Sequence, residues 1–415
     1  MDALILRASP NSLSAARSLG RAGLNVTIAA PPEDLAVSRS RYVSRFVHLD
    51  ALDDRAVSTL LQLTFAPGPK PFLLATGDED ALLIAKHHDR LAEKFCFVSP
   101  SYSVLDAIVD KAKLYATARD HRIRHPRFHV VREPSDIEPA IEVIGVPCYV
   151  KPALGHEWRR MRRGKLEKAQ DVAELRRILE DFMSLRLTAI PTEIIPGDDS
   201  DIYGLSTYID RAGRPAGWRT KRKIRQYPIG VGDGSMQEIV DEPAVAELGL
   251  RLLAITGHRG AATVEFRRDP RDGQFVLMEI SVRTVSGQEL VTRSGLDVPL
   301  IAYHDAVGQA LPVSRPVERV RWLRFGLDFL AFRELRRRGT ITTIGWLSSI
   351  LSCRSFAYFA WDDPAPFFAR IAMWLDRQLK SRFRRAPGFL LLGRGARSAA
   401  AKNPKKSAEK NNLGE

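Results

Sequence analysis

Glu265 and Glu279 sit at the ends of two apolar runs, Thr263-Val264-Glu265-Phe266 and Phe275-Val276-Leu277-Met278-Glu279-Ile280, joined by the polar turn Asp269-Pro270-Arg271-Asp272-Gly273. Branched and aromatic residues favour strands, and a proline and glycine between two such runs turn the chain back on itself, so the spacing predicts an antiparallel hairpin with both carboxylates facing one site. A half-buried carboxylate needs a cation or strong donor to offset its desolvation. Hard divalent cations bind through one or two carboxylates completed by substrate phosphates, so the pair points to nucleotide chemistry. The plainer alternative is a hairpin whose acids are solvated or paired with Arg267, Arg268 and Arg283.

Other positions could serve the same chemistry. Lys151 follows Val146-Pro147-Cys148-Tyr149-Val150, which reads as a buried strand ended by Pro152. A lysine at the end of such a strand is a compact point charge suited to phosphate. An ordinary surface lysine is the alternative. The segment after Lys151, Ala153 to Lys165, has only Gly155 and Gly164 but carries Arg159, Arg160, Arg162, Arg163 and Lys165, a basic stretch. His156 reads as a solvated loop histidine. Lys221-Arg222-Lys223-Ile224-Arg225 is a further anion site or a basic strand face.

Asp110-Lys111, Tyr149-Val150-Lys151-Pro152, Thr192-Glu193-Ile194-Ile195-Pro196-Gly197 and the Glu265/Glu279 hairpin occur in an order that resembles the ATP-grasp superfamily. The resemblance covers about residues 1 to 312 and runs toward carbamoyl phosphate synthase-like carboxylate-amine ligases of the D-aspartate ligase-like type. It implies ATP held between two α+β halves, with Mg²⁺ or alternatively Mn²⁺, and an acyl phosphate captured by an amine. It further implies Lys111 and Lys151 on the phosphates, Glu193, Ile194 and Ile195 at the adenine with Asp201 at the sugar, Glu265, Glu279 and Ser281 on the metal, and Arg283 with Lys151 as catalytic groups. Ser281 stands where the family has asparagine, and a hydroxyl is the weaker ligand. An ATP-grasp kinase, or a catalytically impaired nucleotide-binding protein with a membrane- or polyanion-binding extension, are the alternatives.

These groups need elements to hold them. With 415 residues and 45% hydrophobic content, the chain is long enough for two or three domains. The first hundred residues alternate strand and helix: apolar runs at Ala3 to Leu6 and Val26 to Ala29 flank a helix from about Asn11 to Ala22 that stops at Gly23, a βαβ unit. The loop Ala8 to Ser12 lacks the glycine fingerprint of a dinucleotide site. Thr76-Gly77-Asp78-Glu79 follows the strand Phe72 to Ala75 and opens a helix; Asp78 or Glu79 would cap that helix or meet an amine substrate. The expected fold class is α/β and α+β: a doubly wound pre-ATP-grasp domain over 1–105, small and large ATP-grasp subdomains over 106–190 and 191–315, a basic helical extension over 316–392, and a disordered tail over 393–415.

The charge is unevenly placed. From Pro316 onward 20 Lys or Arg stand against 8 Asp or Glu, so +12 of the total +14 lies there, with four of the six tryptophans. From Pro366, Phe367, Ile371, Leu375, Leu379 and Phe383 recur every four residues beside Trp374, with arginines and Lys380 on other faces. Such a helix docks on the enzyme's own core or lies on an anionic membrane surface. No nucleic-acid module accompanies it, and the sequence does not define an oligomeric state. Three cysteines, at 96, 148 and 353, have neither disulfide nor zinc spacing. With no signal-peptide pattern and no apolar run of about 18 residues, a cytoplasmic protein is expected, peripheral to the membrane at most. Its partners would be small carboxylates and amines.

Overall fold

The computed structural model describes residues 1–385 other than 33, 162, 163 and 318, with the backbone alone at 159, 160 and 377–385. It divides into two compact units, 1–371 and 372 onward. The tail from 393 and the side chains of Leu379 and Phe383 therefore lie outside what is described.

Four parallel strands, β1 (Asp2–Leu6), β2 (Asn25–Ala30), β3 (Val43–His48) and β4 (Phe72–Leu74), form an N-terminal sheet in the order β3-β2-β1-β4. The first crossover helix, Pro10–Arg21, starts where the sequence dictates: Ser9 caps it, exchanging hydrogen bonds with Ser12, and Pro10 needs no helical N–H. It ends before Gly23, whose φ of 86° is a left-handed conformation that glycine adopts without strain. Helix Asp78–Lys86, which follows β4, corrects an expectation. Its N-cap is Gly77 and no side chain caps it; Asp78 and Glu79 instead pair with Arg283 and Arg7.

The next three strands, β5 (Cys148–Pro152), β6 (Glu167–Ala169) and β7 (Ala189–Glu193), make a small antiparallel sheet in the order β6-β5-β7. Helix Val172–Ser184 covers it with Leu175, Ile178, Leu179 and Phe182, the helical spacing of one apolar face. Each such side chain contributes about 1.5–3 kcal/mol on burial. The indole of Trp158 stacks on Phe182 at 4.3 Å.

A seven-stranded sheet forms the largest layer, in the order β12-β11-β8-β9-β10-β13-β14. Its strands are β8 (Ile202–Ile209), β9 (Pro215–Tyr227), β10 (Asp233–Val240), β11 (Gly260–Arg268), β12 (Phe275–Ser281), β13 (Arg321–Leu323) and β14 (Ser355–Phe356). Helix Pro243–Thr256 packs on one face, closely because Gly249 is a glycine: a Cβ there would meet Leu205 Cδ2 at 2.5 Å.

The segment from 316 is less of an appendage than its composition suggests. Its strands β13 and β14 extend the main sheet, so the open edge of β10 is paired and the indole of Trp322 is fully buried. Helix Phe325–Arg337 is pinned to β9 by Asp328, which accepts from Arg225 Nε and Nη2 at 2.9 Å, from Ser235 Oγ at 2.8 Å and from Trp346 Nε1 at 2.8 Å. Further on, Asp363 receives buried Arg17 at 2.9 Å and Asp362 receives Arg21 at 2.8 Å, fastening this segment to the first helix. Helix Ala365–Arg385 begins on the first unit: Phe367 packs against the core, and Arg370 pairs with Asp34 at 3.3 Å over the Tyr358 ring. Phe368 and Ile371 stay 62% and 40% exposed. Among the described residues no helix is long and apolar enough to cross a membrane.

Candidate active site

One cavity of about 410 Å³ opens where the small sheet faces the main sheet beside the start of helix Asp78–Lys86. Lys111, Lys151, Glu193, Ile195, Glu265, Glu279, Ser281 and Arg283 all line it. The structure gathers eight of the ten expected positions in one place. Ile194 is not among the lining residues, nor is Asp201, whose carboxylate accepts from Asp198 N at 2.7 Å and closes a short 3₁₀ turn.

The hairpin forms as its sequence requires. Gly273 takes a φ of 74°, Asp269 bonds Gln274 O through its N–H at 2.8 Å, and Arg124 and Arg271 hold the Asp269 carboxylate. Antiparallel pairing then sets Glu265 directly opposite Glu279, with a bulge just after Glu265. The row continues across the sheet through Gly204 on β8 to Lys221 on β9. A side chain at 204 would crowd Lys221, whose Cε lies 3.3 Å from where a Cβ would stand.

Charge here is concentrated and mutually dependent. Burial pushes the Glu279 carboxyl up, but Lys165, Lys111, Lys223 and Arg283 together more than reverse this and hold it well below the usual range. Glu265 is ion-paired with Lys223 at 3.0 Å, not with the arginines expected of a plain hairpin. Arg267 instead donates to Gly197 O at 3.0 Å and Ile195 O at 3.3 Å, fixing the 193–197 connection. Glu193 accepts from Arg127 N at 3.0 Å. Lys151 is buried near the end of β5 and donates to Tyr115 Oη at 3.3 Å; burial pulls its pKa down to about 8, with Glu279 acting against the fall. Lys111 begins helix Lys111–Asp120, where Asp110 caps by accepting from Ala112 N at 2.8 Å. Arg283 reaches the first domain's Asp78 at 3.3 Å.

Two glutamates in register and a serine hydroxyl two residues on form a hard oxygen set. Among the described residues no group of three or more His, Cys, Asp or Glu could hold a metal ion. The set fits a cation such as Mg²⁺, which keeps waters and takes its remaining ligands from phosphates.

Several features of the cavity escaped the sequence reading. Gly230-Val231-Gly232-Asp233-Gly234 lines the cavity and is rich in glycine. Only glycine fits at 232, where a Cβ would sit 1.9 Å from the carbonyl carbon of Tyr227. The composition of that loop was the available signal. Lys165 crosses from the small sheet's side to pair with Asp233 at 2.6 Å, a contact between distant segments that no local pattern announces. His156, read as a loop residue, lines the cavity too. Arg162 and Arg163, and the side chains of Arg159 and Arg160, lie outside the described residues.

No family profile matches the chain. It is similar to a D-aspartate ligase from Enterococcus faecium (strain Aus0004), 24% identical over 324 residues, which is 73% of this chain and 76% of that protein. Among solved structures it resembles an N5-carboxyaminoimidazole synthetase from Staphylococcus aureus complexed with ADP, with a TM-score of 0.60, 17% identity and coverage of 81% and 86% of the two chains. An L-amino acid ligase from Bacillus licheniformis gives a TM-score of 0.57 at 16% identity, over 76% and 75% of the two chains. The fold they share with this chain is the ATP-grasp fold.

Proposed function

We propose that the protein activates a carboxylate with ATP as an acyl phosphate and joins it to an amine, releasing ADP and phosphate. The observation that carries this reading is the convergence of Lys111, Lys151 and Arg283 on the opposed Glu265 and Glu279 in one cavity. The relatives' names support it, since a D-aspartate ligase and an L-amino acid ligase are among them.

In this reading the base lies at the Glu193 to Ile195 end, and Arg267 keeps that backbone fixed through the carbonyls of Ile195 and Gly197. Lys111 and Lys151 bind the phosphates. The 230–234 loop brings backbone close to them, as glycines allow. Glu265, Glu279 and Ser281 would hold Mg²⁺, which supplies neutralisation of phosphate charge. A carboxylate oxygen of the substrate attacks the γ-phosphorus and ADP leaves. The amine nitrogen then attacks the acyl carbon, phosphate leaves, and the nitrogen gives up a proton. Arg283 faces the oxygens on which charge grows in both steps. Preorganised cations of this kind cost no reorganisation when the charge develops.

Calorimetric titration with Mg²⁺ and a non-hydrolysable ATP analogue tests the nucleotide site. Binding by the wild type and its loss in Lys151→Ala are expected; equal binding by both would refute the assignment. ADP release on adding paired carboxylates and amines then tests ligation against phosphorylation alone. We place this chemistry in the cytoplasm, in keeping with three free cysteines. We also assign the C-terminal helix an anionic lipid surface, supported by the exposed Phe368 and Ile371 beside its basic residues. Sedimentation with anionic vesicles that survives deletion of 366–415 would exclude that contact.

A further inference from the structure

Helix Thr343–Leu351 carries apolar side chains on two faces. Its inner face belongs to the fold: the Trp346 ring stacks on Phe332 at 4.3 Å, and its Nε1 donates to Asp328 at 2.8 Å. The outer face carries Ile344, Leu347 and Leu351 at the spacing of one helical stripe, and they are 81%, 50% and 86% exposed. Single exposed apolar residues are ordinary on a protein surface, but three large aliphatics on one stripe form a patch of the kind that marks a contact. The helix cannot turn to hide them, because Asp328 fixes Trp346 and helix Phe325–Arg337 together on Arg225 of β9.

Charge says what covers the patch. Between Phe325 and Trp361 five arginines, at 333, 336, 337, 338 and 354, stand against two acids. Asp328 is buried and Glu334 pairs with Arg338. All five arginines are exposed, and Arg333, Arg337 and Arg354 make no ion pair among the described residues. Trp361 is 89% exposed on a turn that Asp362 fastens to Arg21 and Asp363 to Arg17. Its ring meets Phe359 at 4.9 Å, and Phe359 meets Phe356 at 6.0 Å. A second copy of this chain is a poor cover, because a two-fold interface sets the same arginines against each other. A phospholipid leaflet with anionic headgroups matches the whole set. It offers negative charge to the arginines, an apolar layer to the aliphatics, and the boundary between them where tryptophan settles.

We propose that helix Thr343–Leu351 and the Trp361 turn rest on an anionic lipid surface, with Ile344, Leu347 and Leu351 entering the apolar layer and the arginines meeting the headgroups. This surface is separate from helix Ala365–Arg385, and the inference does not depend on the ligase reading.

The test is sedimentation of the full chain with vesicles of phosphatidylglycerol and phosphatidylcholine mixed one to three, and with vesicles of phosphatidylcholine alone. Binding to the mixed vesicles is expected to be about tenfold or more tighter than to phosphatidylcholine. The combined variant Ile344→Ser, Leu347→Ser, Leu351→Ser should lose about tenfold or more of that binding with its thermal midpoint unchanged, since the three side chains are exposed. Arg333→Gln with Arg337→Gln should lose about tenfold at low salt. A full chain that binds no mixed vesicles, or binds both kinds equally, would overturn the proposal. So would a serine variant that binds as tightly as the wild type, or a wild type that sediments as a dimer and a serine variant that sediments as a monomer. Phe368→Ser with Ile371→Ser separates this contact from the one assigned to helix Ala365–Arg385. Binding lost there and kept in the serine variant sinks only the present proposal; binding kept there and lost in the serine variant sinks only the other.

Discussion

Lys221→Met should make the protein more stable, and only below a definable pH. Burial pulls the Lys221 ammonium from its ordinary 10.5 down to about 8, with Glu265 acting against the fall. At about 1.4 kcal/mol per pH unit this is a penalty of about 3 kcal/mol carried by the folded state at neutral pH. Methionine fills nearly the same volume without the charge, so that penalty disappears. The sign follows from proton counting. Below pH 8 the ammonium is charged in folded and unfolded chains alike, and the full penalty stands. Between about 8 and 10.5 the folded chain is the first to lose its proton, so the penalty shrinks. Above 10.5 neither form is charged and wild type and variant should converge. Unfolding entropy of about 2.1 cal/mol/K per residue over the 371-residue unit converts 3 kcal/mol into a rise of about 4 °C in thermal midpoint. Differential scanning fluorimetry across pH 7 to 10.5 reads it directly. A midpoint lowered by the substitution, or a gain that does not change with pH, would mean that Lys221 has a partner in the folded chain.

Three further outcomes follow from the same geometry. Glu279→Gln should lower turnover by at least about 10²-fold with the circular dichroism spectrum intact, because it removes half of the opposed carboxylate pair. Nucleotide affinity should fall as pH rises past about 8, where burial lets Lys151 lose its proton, and Lys151→Arg should abolish that fall in calorimetric titrations at pH 7 and 9.5. Asp328→Ala, which strands the buried Arg225 guanidinium, should cost about 3–5 kcal/mol in denaturant unfolding while the Ser235→Ala change in the same cluster costs far less.

What the sequence made legible was local. The Glu265/Glu279 hairpin could be read because strand composition, a Pro-Gly turn and two acids fall within one short window, and pairing register does the rest. The first βαβ unit was legible for the same reason, since Ser9, Pro10 and Gly23 mark the helix ends. What could not be read depends on contacts between distant segments. Asp78 looks like a helix cap until Arg283 is brought to it, and nothing near Lys165 announces Asp233. Asp201 looks like a ligand by its position after the Pro-Gly pair, but the backbone of Asp198 satisfies it. Composition also misjudged the region from 316. Its basic charge is real, but Trp322 and Leu323 decide its place, because they complete a sheet whose edge lies far earlier in the chain.

That completion bears on how the protein is made. Buried Arg17 lies in the first helix and finds its carboxylate only at Asp363, and Arg225 of the main sheet finds its own at Asp328. A ribosome emitting this chain has released both guanidinium groups well before either counterion exists outside the exit tunnel. The N-terminal sheet and the main sheet therefore lack these counterions until the last eighth of the first unit arrives. Fragments that stop at about residue 312, where the family resemblance ends, would strand two charged interiors and an open strand edge, and such a fragment is a poor vehicle for studying the site it contains.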